Sequence, residues 1–150
     1  MKLCIASDHR GYALKENLLK YLKRKYDITD LGTYNTEMAD YTKYGFLVGE
    51  KIKNNEYDLG IVICGSGIGI SIACNKVKKV RCAKVDNKED AMLTRKDNNA
   101  NVIALSGKKD INEAIDIVET FINTEFGNLD RYVKRINDIY KYENGEYIDR

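Results

Sequence analysis

The sequence predicts an α/β fold: a three-layer, doubly wound, five-stranded parallel sheet with helices on both faces. Three observations carry this expectation. Short apolar runs alternate with longer amphipathic segments along the chain, the pattern of repeated strand–helix units. The clearest run, Asp58–Cys64 (DLGIVIC), is apolar almost throughout rather than alternating, as a strand covered on both faces requires. No apolar run approaches the 18 residues of a membrane span.

The elements follow in order. Lys2–Ala6 (KLCIA) is a short buried strand. Gly11–Lys25 places Leu14, Leu18, Leu19 and Leu22 at helical spacing. Tyr26–Leu31 is a weaker strand closed by Gly32. Glu37–Asn54 reads as a helix with Tyr41, Tyr44, Leu47/Val48 and Ile52 on one side. Asp58–Cys64 is the third strand, and Ile68–Val77 a helix opened by a Gly-rich turn. Val80–Val85 is the fourth strand, Lys88–Lys96 a helix, and Val102–Leu105 the fifth strand. Asp110–Phe126 is a strong helix, with Ile111, Ala114/Ile115, Val118, Phe121/Ile122 and Phe126 in phase and Gly127 as its stop. Leu129–Tyr142 is a last amphipathic helix carrying Leu129, Val133, Ile136 and Tyr140 on one stripe.

Right-handed crossovers put every strand-to-helix turn at one edge of such a Rossmann-like sheet. Ligands bind there, at the carboxyl ends of the strands. The turns in question are Ser7–Gly11, Gly65–Gly69, Asp86–Asn87 and Ser106–Lys109. They hold the only His, two acids, a Gly-rich turn and several cations, with Cys64 at a strand end.

Composition excludes several function classes. The chain has 150 residues, 43% apolar and 32% charged, which suggests a single domain over residues 1–150 able to bury a substantial core. Twenty-five Lys+Arg against 23 Asp+Glu leave a net charge of +2, which argues against bulk nucleic-acid binding. Four Cys without a C-x-x-C, and a single His, give neither a zinc cage nor a disulfide scaffold. No signal segment is evident, so a cytoplasmic protein is expected.

Four groups can carry chemistry. Gly65, Gly67 and Gly69 alternate with Ser66, Ile68 and Ile70 just before a helix. Their amides and the helix N-terminus favour an anion; the competing reading is a tight turn that needs glycine for its backbone angles. A dinucleotide fingerprint would need Gly where Ile70 stands, and no P-loop occurs. Cys64, beside that turn, suits a base or nucleophile or a small buried hydrophobe, the better reading for Cys4, Cys74 and Cys82. Asp8 and His9 either hold a substrate hydroxyl or phosphate, or form a solvated turn with Asp8 as a helix cap. Arg131 and Arg135, four apart and off the apolar stripe, suit bidentate phosphate capture or an ordinary charged surface.

The segments IASDHRGYALK (Ile5–Lys15), LGTYNTEMADY (Leu31–Tyr41), ICGSGIGISIACNKVKKVR (Ile63–Arg81) and RKDNNANVIAL (Arg95–Leu105) fall in order over nearly the whole chain, through DRYVKRI (Asp130–Ile136). Together they resemble the type B ribose-5-phosphate isomerases and the related lactose-pathway galactose-6-phosphate isomerase subunits. The resemblance implies an aldose–ketose isomerase of sugar phosphates that uses no metal or organic cofactor. It implies Cys64 as the base that moves a proton between C1 and C2, and Asp8 as a contact to substrate hydroxyls. It makes Gly65 to Ser71, including Ser66 (usually Thr), Gly67, Ile68 and Gly69, the turn whose amides hold the enediolate oxygen. His9, Arg131 and Arg135 become phosphate ligands, and Tyr41 and Asn98 substrate contacts. In relatives the segment holding Asn98 comes from a partner subunit, so a homodimer or homotetramer with shared sites is implied. The C-terminal helix and tail are expected to pack on that partner.

The sequence departs from the family at places near the substrate. Asp97 stands where the ring-opening His is usual, Lys108 where an Arg often meets phosphate, Tyr132 for a frequent His and Thr42 for a Pro. A carboxylate is normally ionised at neutral pH, so Asp97 would have to be protonated to act as an acid. Ribose 5-phosphate to ribulose 5-phosphate is the leading reaction expected. A 6-phospho-hexose substrate, one subunit of a heteromer, and a non-catalytic sugar-phosphate sensor are the alternatives.

Overall fold

The computed structural model describes residues 1–148. All eleven expected elements are present: β1 Lys2–Ser7, α1 Tyr12–Leu22, β2 Asp27–Asp30, α2 Tyr41–Lys53, β3 Leu59–Cys64, α3 Ile68–Asn75, β4 Cys82–Lys84, α4 Lys88–Asn98, β5 Val102–Ser106, α5 Ile111–Asn123 and α6 Asp130–Glu143. The sheet runs β2-β1-β3-β5-β4, with every pair parallel. Leu3 pairs with Leu59, and Ile61 with Ile103.

Strand alternation sorts the core into two halves. Leu3, Ile5, Ile61, Ile63, Ile103 and Leu105 point to one face, covered by α1 and α5 with Ala91 of α4. Cys4, Ala6, Val62, Cys64, Val102 and Ala104 point to the other, covered by α2 and α3. The second face carries smaller side chains, and its helices sit close together. A Cβ on Gly45 would lie 2.7 Å from that of Ala73, and one on Gly49 2.7 Å from Val77 Cγ2.

Several boundaries differ from expectation, each for a polar reason. α2 starts at Tyr41 rather than Glu37. Asn35 Oδ1 takes the Glu37 amide in a local turn and His9 Nδ1 meets Ala39, so residues 35–39 follow a loop fastened to the turn after β1. α5 stops at Asn123 because Thr124 turns extended and its carbonyl accepts from Arg95 Nε at 3.2 Å. Phe126 therefore leaves α5 and stacks near Tyr132 of α6, with ring centroids 6.4 Å apart. On α6 only Ile136 is buried; Val133 and Tyr140 are half-buried, and Leu129, before its first turn, is exposed.

One charged side chain is fully inside. Lys15 Nζ lies 2.8 Å from both carboxylate oxygens of Asp30 and 3.0 Å from Glu16, so its burial is compensated.

Candidate active site

The chain reverses its winding between β1 and β3, so α1 and α3 leave on opposite faces. A crevice opens there. The loops after β1, β3 and β5 interlock around it. Asp8 N donates to Ile63 O at 3.2 Å, Gly107 N to Cys64 O at 2.8 Å, and Ser106 Oγ to Gly65 O at 2.8 Å. Glycines make this closeness possible. A Cβ on Gly11 would sit 2.5 Å from Ile63 O, and one on Gly107 would collide with the Arg10 carbonyl. Gly67 holds φ +79, the left-handed region, at the N-cap of α3.

The crevice is a cleft of about 790 Å³. Cys64, 4% exposed, ends β3 at its floor. Its Sγ accepts the Gly67 amide N–H at 3.2 Å, the donor an anionic sulfur needs. Cys4, Cys74 and Cys82 differ: none of them lines the cleft, and burial, then the neighbouring Cys74, pushes the Cys4 thiol up to about 12. Asp8 is buried, and its Oδ1 accepts the amides of Arg10 (2.9 Å) and Gly11 (3.0 Å). Oδ2 takes part in no hydrogen bond among the described residues. His9 Nδ1 lies 3.2 Å from both the Ala39 amide and the Ala39 carbonyl, which fixes the ring against the segment before α2.

Gly65, Ser66, Ile68, Gly69, Tyr41 and Lys108 also line the cleft. Ser66 Oγ accepts the Ile68 amide at 3.1 Å, and Tyr41 lies against Gly69. Ser71 does not line it; its hydroxyl donates to Ile68 O at 2.6 Å and braces the first turn of α3. The structure also brings in three cations that the sequence reading left unassigned, Arg10, Lys84 and Lys109, the last donating from Nζ to Asp86 O at 2.9 Å. Arg10 lays its stem against Gly65. Lys84 pairs with Asp86, whose carboxyl it holds below the usual range. Arg10 and Lys108 line the cleft without a carboxylate partner among the described residues. The signal for Arg10 was its place in the turn after β1, beside Asp8 and His9.

Asp97, Asn98, Arg131 and Arg135 do not reach this cleft. α4 runs antiparallel to the strands, so Asn98 stands at the amino edge of the sheet. That is a strand's length from Cys64, about 16 Å. Asn98 is exposed and Asp97 half-buried. Arg131 and Arg135 are exposed on α6, Arg131 folded over the Tyr132 ring at 4.8 Å.

Residues 3–139 match the family model described as Ribose/Galactose Isomerase. A probable ribose-5-phosphate isomerase B of Mycoplasma genitalium is 43% identical over 143 residues, 93% of each chain. Ribose-5-phosphate isomerase B of Clostridium thermocellum superposes with a TM-score of 0.93 at 42% identity, covering 97% of this chain and 99% of the other. The Mycoplasma genitalium enzyme with bound ribulose-5-phosphate gives 0.89 at 41% identity, over 95% and 96%. The strand-end cleft thus sits in a fold shared along almost its whole length, and the chain belongs to the ribose/galactose isomerase family.

Proposed function

We propose that this chain interconverts ribose 5-phosphate and ribulose 5-phosphate through a cis-enediolate, with Cys64 as the base. One observation carries the reading: a strand-end thiol accepting a backbone N–H, beside the Asp8 carboxylate, at the floor of a cleft bordered by cations. A proton moving between C1 and C2 needs a base within reach of both carbons. It also needs donors for the oxygen on which charge develops, a role suited to the turn amides and the α3 N-terminus. Asp8 Oδ2 is placed to take a substrate hydroxyl, and His9 and Lys108 border the part of the cleft suited to a phosphate. The structures of relatives, one holding ribulose-5-phosphate, support the same choice.

The remaining groups fit a site shared between two copies of this chain. Asn98, Asp97, Arg131 and Arg135 lie away from their own cleft, and α6 leaves Leu129, Ile139 and Tyr142 exposed. A homodimer, or a dimer of such dimers, would bring one copy's α4 end and α6 to the other's cleft and cover these side chains. The tail beyond α6 would pack there too; residues 149–150 lie outside those described. Four free cysteines suit a reducing compartment, and no helix among the described residues is long and apolar enough to cross a membrane. A cytoplasmic enzyme is the reading that the free thiols support. A 6-phospho-hexose substrate, or a partner subunit supplying an imidazole, is the second reading, favoured by Asp97 in place of the usual His.

Proton NMR of the purified chain with ribose 5-phosphate in D₂O tests this. Ribulose 5-phosphate, or deuterium entering at C2, is expected. No product and no exchange would overturn the pentose reading for the chain alone and turn attention to hexose phosphates.

A further inference from the structure

We infer that Arg81 is a positioning residue: it ties the last turn of α4 to α6, so that Asp97–Asn98 and Arg131–Arg135 are presented as one rigid unit. This rests on the shared-site reading above. Arg81 sits at the amino edge of the sheet, just before β4. Its Nε donates to Asn98 O (3.1 Å) and Asn99 O (3.2 Å), and Nη2 to Asn99 O (2.9 Å). Nη1 reaches Lys79 O and the Tyr140 hydroxyl of α6, and the guanidinium stacks over the Tyr140 ring at 5.2 Å. The backbone joins in, with Arg81 N donating to Asn101 Oδ1 at 2.8 Å.

A second guanidinium closes the turn from the other side. Arg95 Nη1 donates to Asn99 Oδ1 (2.8 Å) and Ala100 O (2.7 Å). Neither arginine has a carboxylate partner among the described residues. Burial, and then the charge of Arg81, disfavours the charged form of Arg95. Two like charges placed side by side without an anion make a poor device for stability alone. What they fix is a shape: the turn at Asn99, held at φ +47, and its distance to α6. α6 itself buries only Ile136, and its Glu143 carboxylate joins the same corner by accepting the Lys79 amide at 2.9 Å. A planar guanidinium can hold three carbonyls and a hydroxyl at once; an ammonium cannot keep that geometry.

A double-mutant cycle tests the assignment: Arg81→Lys, Asn98→Ala and the pair, read as kcat/KM for ribose 5-phosphate, with thermal midpoint and size-exclusion volume as checks of fold and assembly. Arg81→Lys is expected to keep fold and assembly and to lose about tenfold to a hundredfold in kcat/KM, the scale of a small misplacement. The pair should lose less than the product of the two single losses, because part of the Arg81 effect runs through the turn that holds Asn98. Tyr140→Phe, which keeps the ring and removes the hydroxyl link, should give a smaller loss in the same direction and serves if Arg81→Lys does not fold. If Asn98→Ala slows the enzyme while Arg81→Lys is silent or its effect multiplies with that of Asn98→Ala, the positioning role is overturned and the shared site stands. If Asn98→Ala leaves kcat/KM unchanged, the shared-site reading fails and the role of Arg81 falls with it.

Discussion

The cleft after β1, β3 and β5 and the corner between α4 and α6 are built on opposite principles. The cleft is made of backbone. Its loops hydrogen-bond one another, its glycines exclude side chains where strands meet, and its thiol and carboxylate are both buried. The corner is made of side chains. Arginines hold a turn by its carbonyls, and a helix rests on one buried isoleucine. On the proposed reading the contrast is a division of labour: the groups for proton transfer are fixed within one chain, while Asn98, Arg131 and Arg135 are held on the outside for a second copy.

The largest test of that contrast is Cys64→Ala. We expect kcat to fall about 10²–10⁴-fold, the worth of a general base, with substrate still bound in calorimetry; turnover near the parent's would break the assignment. Next is the pair Arg131→Ala and Arg135→Ala. Each lost charge-assisted contact should cost about 1.5–3 kcal/mol of substrate binding, read as a rise in KM, and an unchanged KM would sink the clamp. Mixing Cys64→Ala chains with Arg131→Ala chains should restore activity, roughly a quarter of the parent's under random pairing in a two-fold dimer. No recovery would place both groups in one chain's site. Gly107→Ala, which pushes on the Arg10 carbonyl, should cost about 1–3 kcal/mol in stability and lower activity with it. Intact activity in that variant would mean the cleft is softer than drawn.

The smallest effect belongs to Glu119→Gln, far from both regions. The Lys25 hydrogen bond holds the Glu119 carboxyl below its ordinary range, so the pair's stabilisation is present at neutral pH and is lost as pH falls through that lowered value. The pair is exposed. Melts of parent and variant should differ slightly at pH 7, converge in acid, and leave kcat and KM alone.

Much of this was legible in the sequence because strands and helices here obey their own periodicities. The β3 run announced a strand covered on both faces, and the loops at strand ends pointed to the cleft before any coordinates. What escaped were pairings between distant residues. Nothing local marks Lys15, because its carboxylate partner Asp30 lies beyond α1, on β2. Nothing local marks Arg81, because most of its acceptors are backbone carbonyls that carry no sequence signal. The late start of α2 and the early stop of α5 go with Asn35, His9 and Arg95 engaging the backbone of residues 37, 39 and 124. The strand order, too, is invisible to local pattern.

The interlocked loops have a consequence for how the molecule fails on heating. Residues 8–11, 64–67 and 106–107 touch only when β1, β3 and β5 are all in register. No single loop can open and leave the thiol and the carboxylate in place, so loss of proton transfer and loss of the central sheet belong to one cooperative event. α6 shares none of these loop contacts, so its detachment from the Arg81 corner is a separate event, one that leaves the central sheet standing.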